Sequence, residues 1–192
     1  MTAPASAPER LLSTAGELFA RHGIRGVGID RILAESGVAK ATLYQSFGSK
    51  ESLIVSYLER RDATDRASYA AHLALCGTDA ERLTAFFDLA ERSAHTAGFL
   101  GCVYANAMNE FPDPELPIGA TVRRHREWVR EQWIATLAPR PDAGALADQL
   151  QLIYDGALLG AKLSHSAEPI RRGRALALRI AGLEPLRDPA AA

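Results

Sequence analysis

The sequence is poor in cysteine and lacks an excess of either charge. Its two cysteines, Cys76 and Cys102, lie far apart and form no C-x-x-C pair, so no disulfide framework is expected and a reducing compartment is the simpler reading. The formal net charge of −1 excludes a uniformly basic nucleic-acid coat, and any DNA contact must be a local patch. Long apolar runs are missing as well. A long uncharged stretch, Ala94 to Asn109, is interrupted by His95, Thr96 and several Gly and Asn, so no membrane-spanning helix is expected. Met1 to Pro8 has neither basic residues nor an apolar segment; no signal peptide is expected, and the expected location is cytoplasmic.

Catalytic signatures are absent too. There is no G-x-S-x-G, no Walker loop, no dinucleotide glycine fingerprint and no credible triad. The five histidines show no H-E-x-x-H or other ligand spacing, so neither a metal nor another cofactor is expected. Glu110, Asp113 and Glu115 form an acidic run, but Pro112 and Pro114 mark it as a loop, a weak basis for an acid/base pair. An enzyme is therefore not expected.

What the sequence does contain is helix. A hydrophobic fraction of 47% is ample for a sizeable core. From Pro8, the residues Leu11, Ala15, Leu18, Phe19 and His22 recur at three- and four-residue spacing, and Gly23 is placed to stop that helix in the left-handed conformation. A second helix carries Ile29, Ile32 and Leu33 and ends at Gly37. A third runs from about Lys40 to Phe47, with Leu43 and Phe47 inward. Gly48 breaks it, and Ser49 can cap a fourth. Further helices are expected near 50–75, 79–97, 102–111, 116–138, 142–165 and 169–182, punctuated by glycine and proline. Strand-like alternation and internal repeats are absent.

The informative window is Ile29 to Leu53, IDRILAESGVAKATLYQSFGSKESL: helix, tight turn with glycine, helix. Its second helix presents polar groups outward and two large apolar residues inward. Such an element fits the major groove of B-DNA. A plain helical hairpin within the core satisfies the same pattern. Residues 9–61 carry eight Lys/Arg against six Asp/Glu, which permits a basic patch without requiring one.

The run GVAKATLYQSFGSKESL resembles the end of the DNA-binding domain of the TetR/AcrR regulators, whose usual run is Gly-Val-Ser-Lys-Gly-Thr-Leu-Tyr-His-Tyr-Phe, then Ser-Lys-Glu. The ending of the first helix, Phe19-Ala20-x-x-Gly23, is similar as well, and the likeness covers about residues 8–58. The resemblance implies an all-α fold: a flexible arm (1–7), a three-helix DNA-binding domain with the helix-turn-helix (8–50), a larger helical ligand-binding and dimerisation domain (51–185) and a flexible tail (186–192). It further implies a repressor that binds double-stranded operator DNA as a homodimer and is released by a small, mostly hydrophobic inducer.

By position, the resemblance puts Lys40, Ala41, Thr42, Tyr44 and Gln45 on the recognition helix and Lys50 at the start of the next, with Tyr44 and Lys50 at phosphate-contacting positions and Gln45 near bases. The chemistry agrees. A phenol, an ammonium and helix N-terminal amides suit phosphate oxygens, and glutamine can pair bidentately with adenine. Three positions depart from the family pattern: Ala39 and Gly28 stand where a capping Ser or Thr is usual, and Ala41 replaces a common Gly.

Beyond Gly77 the bulky residues concentrate: Phe86, Phe87, Phe99, Tyr104, Met108, Phe111, Trp128, Trp133 and Tyr154. They line an apolar ligand pocket or simply fill the core. The pocket candidates are Tyr104, Asn106, Met108, Glu110, His125 and Trp128. Asn106 and Glu110, four apart, can offer paired polar groups to a ligand, cap neighbouring helices or face solvent. His125 sits on an apolar stripe, as a core residue or a pocket one. Cys102, near a helix start, is an inert buried thiol or a sensor of oxidants and electrophiles.

Helix eight is apolar nearly all round, with Leu146, Leu150, Ile153, Ala157 and Ala161 on one face and Leu152, Leu159 and Leu163 elsewhere. Gly156 and Gly160 leave shallow spots where another helix can approach. With helix nine this suits the two-subunit four-helix bundle that the resemblance implies. The run Arg171-Arg172-Gly173-Arg174 reads as a solvated face. Two rival functions remain at this level, an activator and a helical interaction or ligand-carrying module without DNA binding.

Overall fold

The computed structural model describes residues 5–96 and 99–183. Among these residues every regular element is an α-helix: α1 (Ala7–His22), α2 (Ile29–Ser36), α3 (Lys40–Phe47), α4 (Lys50–Leu73), α5 (Asp79–Ala94), α6 (Val103–Glu110), α7 (Pro117–Leu137), α8 (Ala143–Ser164) and α9 (Glu168–Ala181). The all-helical expectation holds, and the helix bounds agree with the spacing to within about a turn. α5 stops three residues early because the His95 amide closes back on Arg92 and Ser93. The expected arm is described only from Ala5, where Ser6 already caps α1; the tail at 186–192 lies outside the described residues.

Two compact units emerge. Of the described residues, the first comprises those up to Thr64 together with Cys102–His125, and the second comprises those from Asp65 to Gly101 and from Arg126 onward. The first unit therefore reaches past residue 50: α6 and the start of α7 contribute Tyr104, Ala107, Ile118 and Val122 to the core formed by Leu11, Phe19, Ile32, Leu43, Leu53 and Leu58. The reason is plain in the helices themselves. α2 and α3 have only eight residues each and bury one large side chain apiece, Ile32 and Leu43. Helices that short are marginal alone and draw their stability from packing.

Local signals set the ends. Ser6 accepts from the Glu9 amide while the Glu9 carboxylate accepts from the Ser6 amide at 2.7 Å, a reciprocal cap that starts α1. Gly23 ends it with positive φ (76°) but extended ψ (158°), so it is a chain reversal rather than the left-handed stop expected. The left-handed stop occurs at Gly37 (φ 64°, ψ 25°), inside the turn between α2 and α3. Ser49 caps α4 as expected, its hydroxyl accepting from the Ser52 amide at 3.0 Å.

In the second unit α9 packs against both α8 and α5. The crossing is close: a Cβ at Gly173 would lie 2.9 Å from the Ala157 Cβ and 3.2 Å from the Phe87 ring. Trp133 is wholly buried and its indole N–H donates to the Leu83 carbonyl at 3.1 Å, so it is a core residue with its one polar atom satisfied. Gly160 is not a vacant spot. A Cβ there would stand 3.0 Å from the Pro169 Cβ at the start of α9, whereas one at Gly156 would meet nothing within 4 Å. The arginine run is tied to acids of the same unit: Arg171 to Glu91 (3.1 Å) and Glu168, Arg172 to Glu168 (3.0 Å) and Arg174 to Asp88 (2.8 Å). No described helix is long and apolar enough to cross a membrane.

Candidate nucleic-acid interface and ligand residues

α3 divides its residues by periodicity. Leu43 is buried and Phe47, four residues on, packs against the same core. Lys40, Ala41, Tyr44 and Gln45 are exposed: Ala41 and Gln45, one turn apart, lie opposite that core, while Lys40 in the first turn and Tyr44 one turn further on flank it. Tyr44 stands 44% exposed, a high value for an aromatic side chain in a small domain. Thr42 is half-buried at the edge of this face. Five of the six expected DNA-contacting residues are thus gathered on one short helix.

Neither helix of the motif has a side-chain cap. Gly28 and Ala39 supply none, whereas α1 and α5 each carry a complete capping box. The N-terminal amides of α2 and α3 are therefore left with the partial positive charge of a bare helix start, which suits an anion. The charges around the motif are largely paired among themselves at the surface. Lys40 lies 3.7 Å from Asp30, and Arg31 reaches Glu35 and His22, each at 2.9 Å. Such exposed pairs contribute about 0–1 kcal/mol and yield readily to a stronger anion.

Lys50 is placed differently from the rest. Its ammonium folds back and donates to the Ile24 carbonyl at 3.0 Å, in the turn between α1 and α2. Burial lowers its pKa, and the Glu110 carboxylate nearby opposes that shift. Glu110 comes from the end of α6 and accepts from the Ile24 amide at 2.9 Å and from the Arg25 amide at 2.6 Å. The Arg25 guanidinium lies over the Phe111 ring, 5.0 Å from its centroid. Glu110 thus holds two backbone amides of the α1–α2 turn rather than a helix end. Arg25 and this junction were invisible to sequence reasoning, because the partners lie 85 and 86 residues apart and follow no periodic rule.

The remaining ligand candidates separate. Tyr104 and His125 come together in the first unit, their rings stacked with centroids 3.5 Å apart, and His125 Nδ1 lies 2.7 Å from Asp62 Oδ1. Met108 packs on the core of that unit, and Asn106 is half-buried on the same helix. Trp128 belongs to the second unit. There it meets Tyr69 and Phe86 edge to face at 5.5 and 5.6 Å, and the Arg66 guanidinium lies 4.5 Å from its centroid. Tyr69 is buried against Phe86, and that burial pushes its phenol up to about 12. Cys102 begins α6, its sulfur accepting from the Ala105 amide at 3.4 Å. Burial, with the Glu81 and Asp88 carboxylates nearby, pushes the Cys76 thiol up from its ordinary value.

Residues 11–57, the span from α1 into α4, match the family described as bacterial regulatory proteins of the tetR type. A transcriptional repressor of Streptomyces coelicolor, SCO4008, is 41% identical over 58 residues, a match that spans only 30% of each chain. The transcriptional regulator AcuR of Cereibacter sphaeroides is 30% identical over 179 residues, covering 85% of this chain and 80% of that one. The crystal structure of SCO4454, a TetR-family transcriptional regulator from Streptomyces coelicolor, superposes with a TM-score of 0.85 at 34% identity, covering 93% of this chain and 96% of the other. The family match covers the motif and the likeness to relatives extends over nearly the whole chain, and on it the chain belongs to the TetR family of bacterial regulators, DNA-binding proteins and not enzymes.

Proposed function

We propose that the protein is a repressor that binds operator DNA as a homodimer and is released by a small, mostly apolar inducer. The observation that carries the DNA-binding part is α3: Lys40, Tyr44 and Gln45 face outward from a helix whose start has no side-chain cap, while Leu43 anchors it from behind. An ammonium, a phenol hydroxyl and bare amides suit phosphates, and the Gln45 amide suits an adenine edge. Residues 8–50 are proposed as the DNA-binding domain and 51–185 as the part that dimerises and senses, in the cytoplasm.

The homodimer rests on α8. Leu152, Leu159 and Leu163 stand 72%, 56% and 72% exposed, and with open Gly156 they repeat at four, three and four residues. That spacing places all four on one face, opposite the buried Leu150, Ala157 and Ala161. Three leucines in line on one helix suit a second copy of the same helix. The inducer reading rests on the aromatic residues of the second unit and on Tyr104 and His125 of the first.

The test is electrophoretic shift with DNA upstream of the gene itself, together with light scattering. A retarded complex containing two protomers supports the reading. A folded monomer that leaves the fragment unshifted would instead favour an interaction module without DNA binding.

A further inference from the structure

We propose that the last turn of α6 is a clamp on the DNA-reading head, with Glu110 as its positioning residue. The contacts are specific. Glu110 Oε1 accepts from the Ile24 amide at 2.9 Å and Oε2 from the Arg25 amide at 2.6 Å, so both carboxylate oxygens are spent on consecutive backbone donors. The carbonyl of the same Ile24 accepts from Lys50 Nζ at 3.0 Å. One residue of the α1–α2 turn is therefore held on its amide by an anion from α6 and on its carbonyl by a cation from α4. Hydrogen bonds to charged partners are about twice as strong as neutral ones. Phe111, next to Glu110, adds its ring beneath the Arg25 guanidinium.

The turn is shaped to admit this anion. Gly23 has φ +76°, and a Cβ there would crowd Glu110 Oε1 at 3.3 Å. Ile24, between the two charges, is buried in the core of the unit. From this turn the chain passes directly into α2, whose start at Gly28 has no side chain to fix it. Glu110 therefore fixes, from outside the motif, the turn that leads into α2, which packs with α3 against α1. Glu110 touches no DNA in this account. It acts through Ile24 and Arg25.

The sign of its effect separates this role from simple electrostatics. Removing an acidic side chain from a DNA-binding unit makes it more positive and, by charge alone, tightens DNA binding. Removing a positioning residue loosens it. The proposal rests on the reading that α2–turn–α3 binds operator DNA, so the experiment has one arm with DNA and one without. In the first, Glu110→Ala and Glu110→Gln are titrated against a labelled upstream fragment over a range of salt. In the second, amide exchange of Ile24 and Arg25 is followed in the free proteins.

Glu110→Ala is expected to weaken operator binding about tenfold, within the usual range of coupling between sites. The salt slope should be unchanged because no phosphate contact is lost. Exchange at Ile24 and Arg25 should accelerate at least about tenfold, with amides elsewhere in the core unaffected. Glu110→Gln, which keeps one acceptor oxygen and the shape of the side chain, should fall between the two and serves where the alanine variant does not fold. Equal or tighter operator binding overturns the proposal, as does unchanged exchange at both amides. Should the wild-type protein bind no upstream fragment, the operator reading falls, and the exchange arm still decides whether Glu110 holds the turn.

Discussion

Among the described residues nothing covers the outward faces of α3 and α8, and the two faces differ in kind. α3 exposes Lys40, Tyr44 and Gln45, side chains rich in donors, on an eight-residue helix with a bare start. α8 exposes Leu152, Leu159 and Leu163 on a 22-residue helix. A face of donors loses little by standing in water and gains from a polyanion. A face of leucines costs free energy until something apolar covers it. The contrast assigns the two faces to different partners, DNA for α3 and a second copy for α8.

The largest effect is expected on α8. Leu159→Asp combined with Leu163→Asp leaves the buried face of the helix untouched and removes two leucines from the exposed stripe of each protomer. Burial of each leucine contributes about 1.5–3 kcal/mol, so the dimer constant should weaken by at least about a hundredfold. Light scattering should then report monomers, and operator binding should fail because a second half-site, roughly 34–36 Å away, goes unread. A double variant that remains dimeric moves the interface off this stripe. Gly160 and Ala157 are poor probes of the same question: Gly160 faces Pro169 and Ala157 faces Gly173 within the chain, so a large residue at either would damage the protomer itself.

Next in size is the anchor of α3. Leu43 is fully buried, and Leu43→Ala should destabilise the reading head by about 2–5 kcal/mol. Operator binding should be lost while dimerisation survives, because Leu43 lies in the first unit and the α8 stripe in the second. Thermal denaturation monitored by circular dichroism, with light scattering beside it, would check both halves. On the exposed side of the same helix, Gln45→Ala should leave stability unchanged. If Gln45 makes a bidentate base contact, the change should cost about 1–3 kcal/mol against the preferred operator and little against unrelated DNA. Equal losses on both sequences would reassign Gln45 from base to phosphate.

What could be read from the sequence follows the range of the interaction. Helices, their glycine and proline stops and the inward pair Leu43/Phe47 depend on neighbours within a turn, so spacing alone exposes them. The α3 face is legible for the same reason. The Lys50 ammonium is not. The family resemblance puts Lys50 at a phosphate-contacting position, and the hydrogen bond its ammonium makes within the chain, to the Ile24 carbonyl 26 residues back, has no signal in the spacing. Glu110 shares an α6 face with Asn106, which suggested a polar pair for a ligand, yet both of its oxygens go to a turn 85 residues away. Gly160 reads as a groove from composition and is filled by Pro169 only because α9 folds back on α8. Each of these depends on which distant segment arrives, and one-dimensional spacing does not carry that information.

The bare starts of α2 and α3 offer a way to sharpen the contrast between reading and scaffolding helices. Ala39→Ser should add a side-chain acceptor for the α3 amides and stabilise the head by about 0.5–2 kcal/mol, readable as a higher midpoint in denaturant. The same hydroxyl would compete with phosphate for those amides while offering a donor of its own, so operator affinity should change by less than stability does. A large gain in affinity with no gain in stability would mean that the serine meets DNA directly.

The smallest expected effect concerns the two boxed helices, one in each unit. Glu9 at the start of α1 is held below the usual carboxylate range chiefly by its hydrogen bond from the Ser6 backbone amide. Glu81 at the start of α5 is held down by two backbone amides, of Gly77 at 2.7 Å and Thr78 at 3.0 Å. A carboxyl whose folded pKa is depressed contributes stability that is fully present above its unfolded pKa and is lost as pH falls through the folded value. Both caps should therefore hold at neutral pH and weaken only in acid, below the ordinary glutamate range. Glu9→Gln and Glu81→Gln should each flatten the acid limb of the stability profile, and Glu81→Gln more so, because its carboxylate takes two backbone donors where that of Glu9 takes one. Denaturant midpoints measured from pH 7 down to pH 3 would show it. Identical acid limbs in wild type and Glu81→Gln would mean that the cap is held as well by a neutral amide, and that its charge contributes nothing to the start of α5.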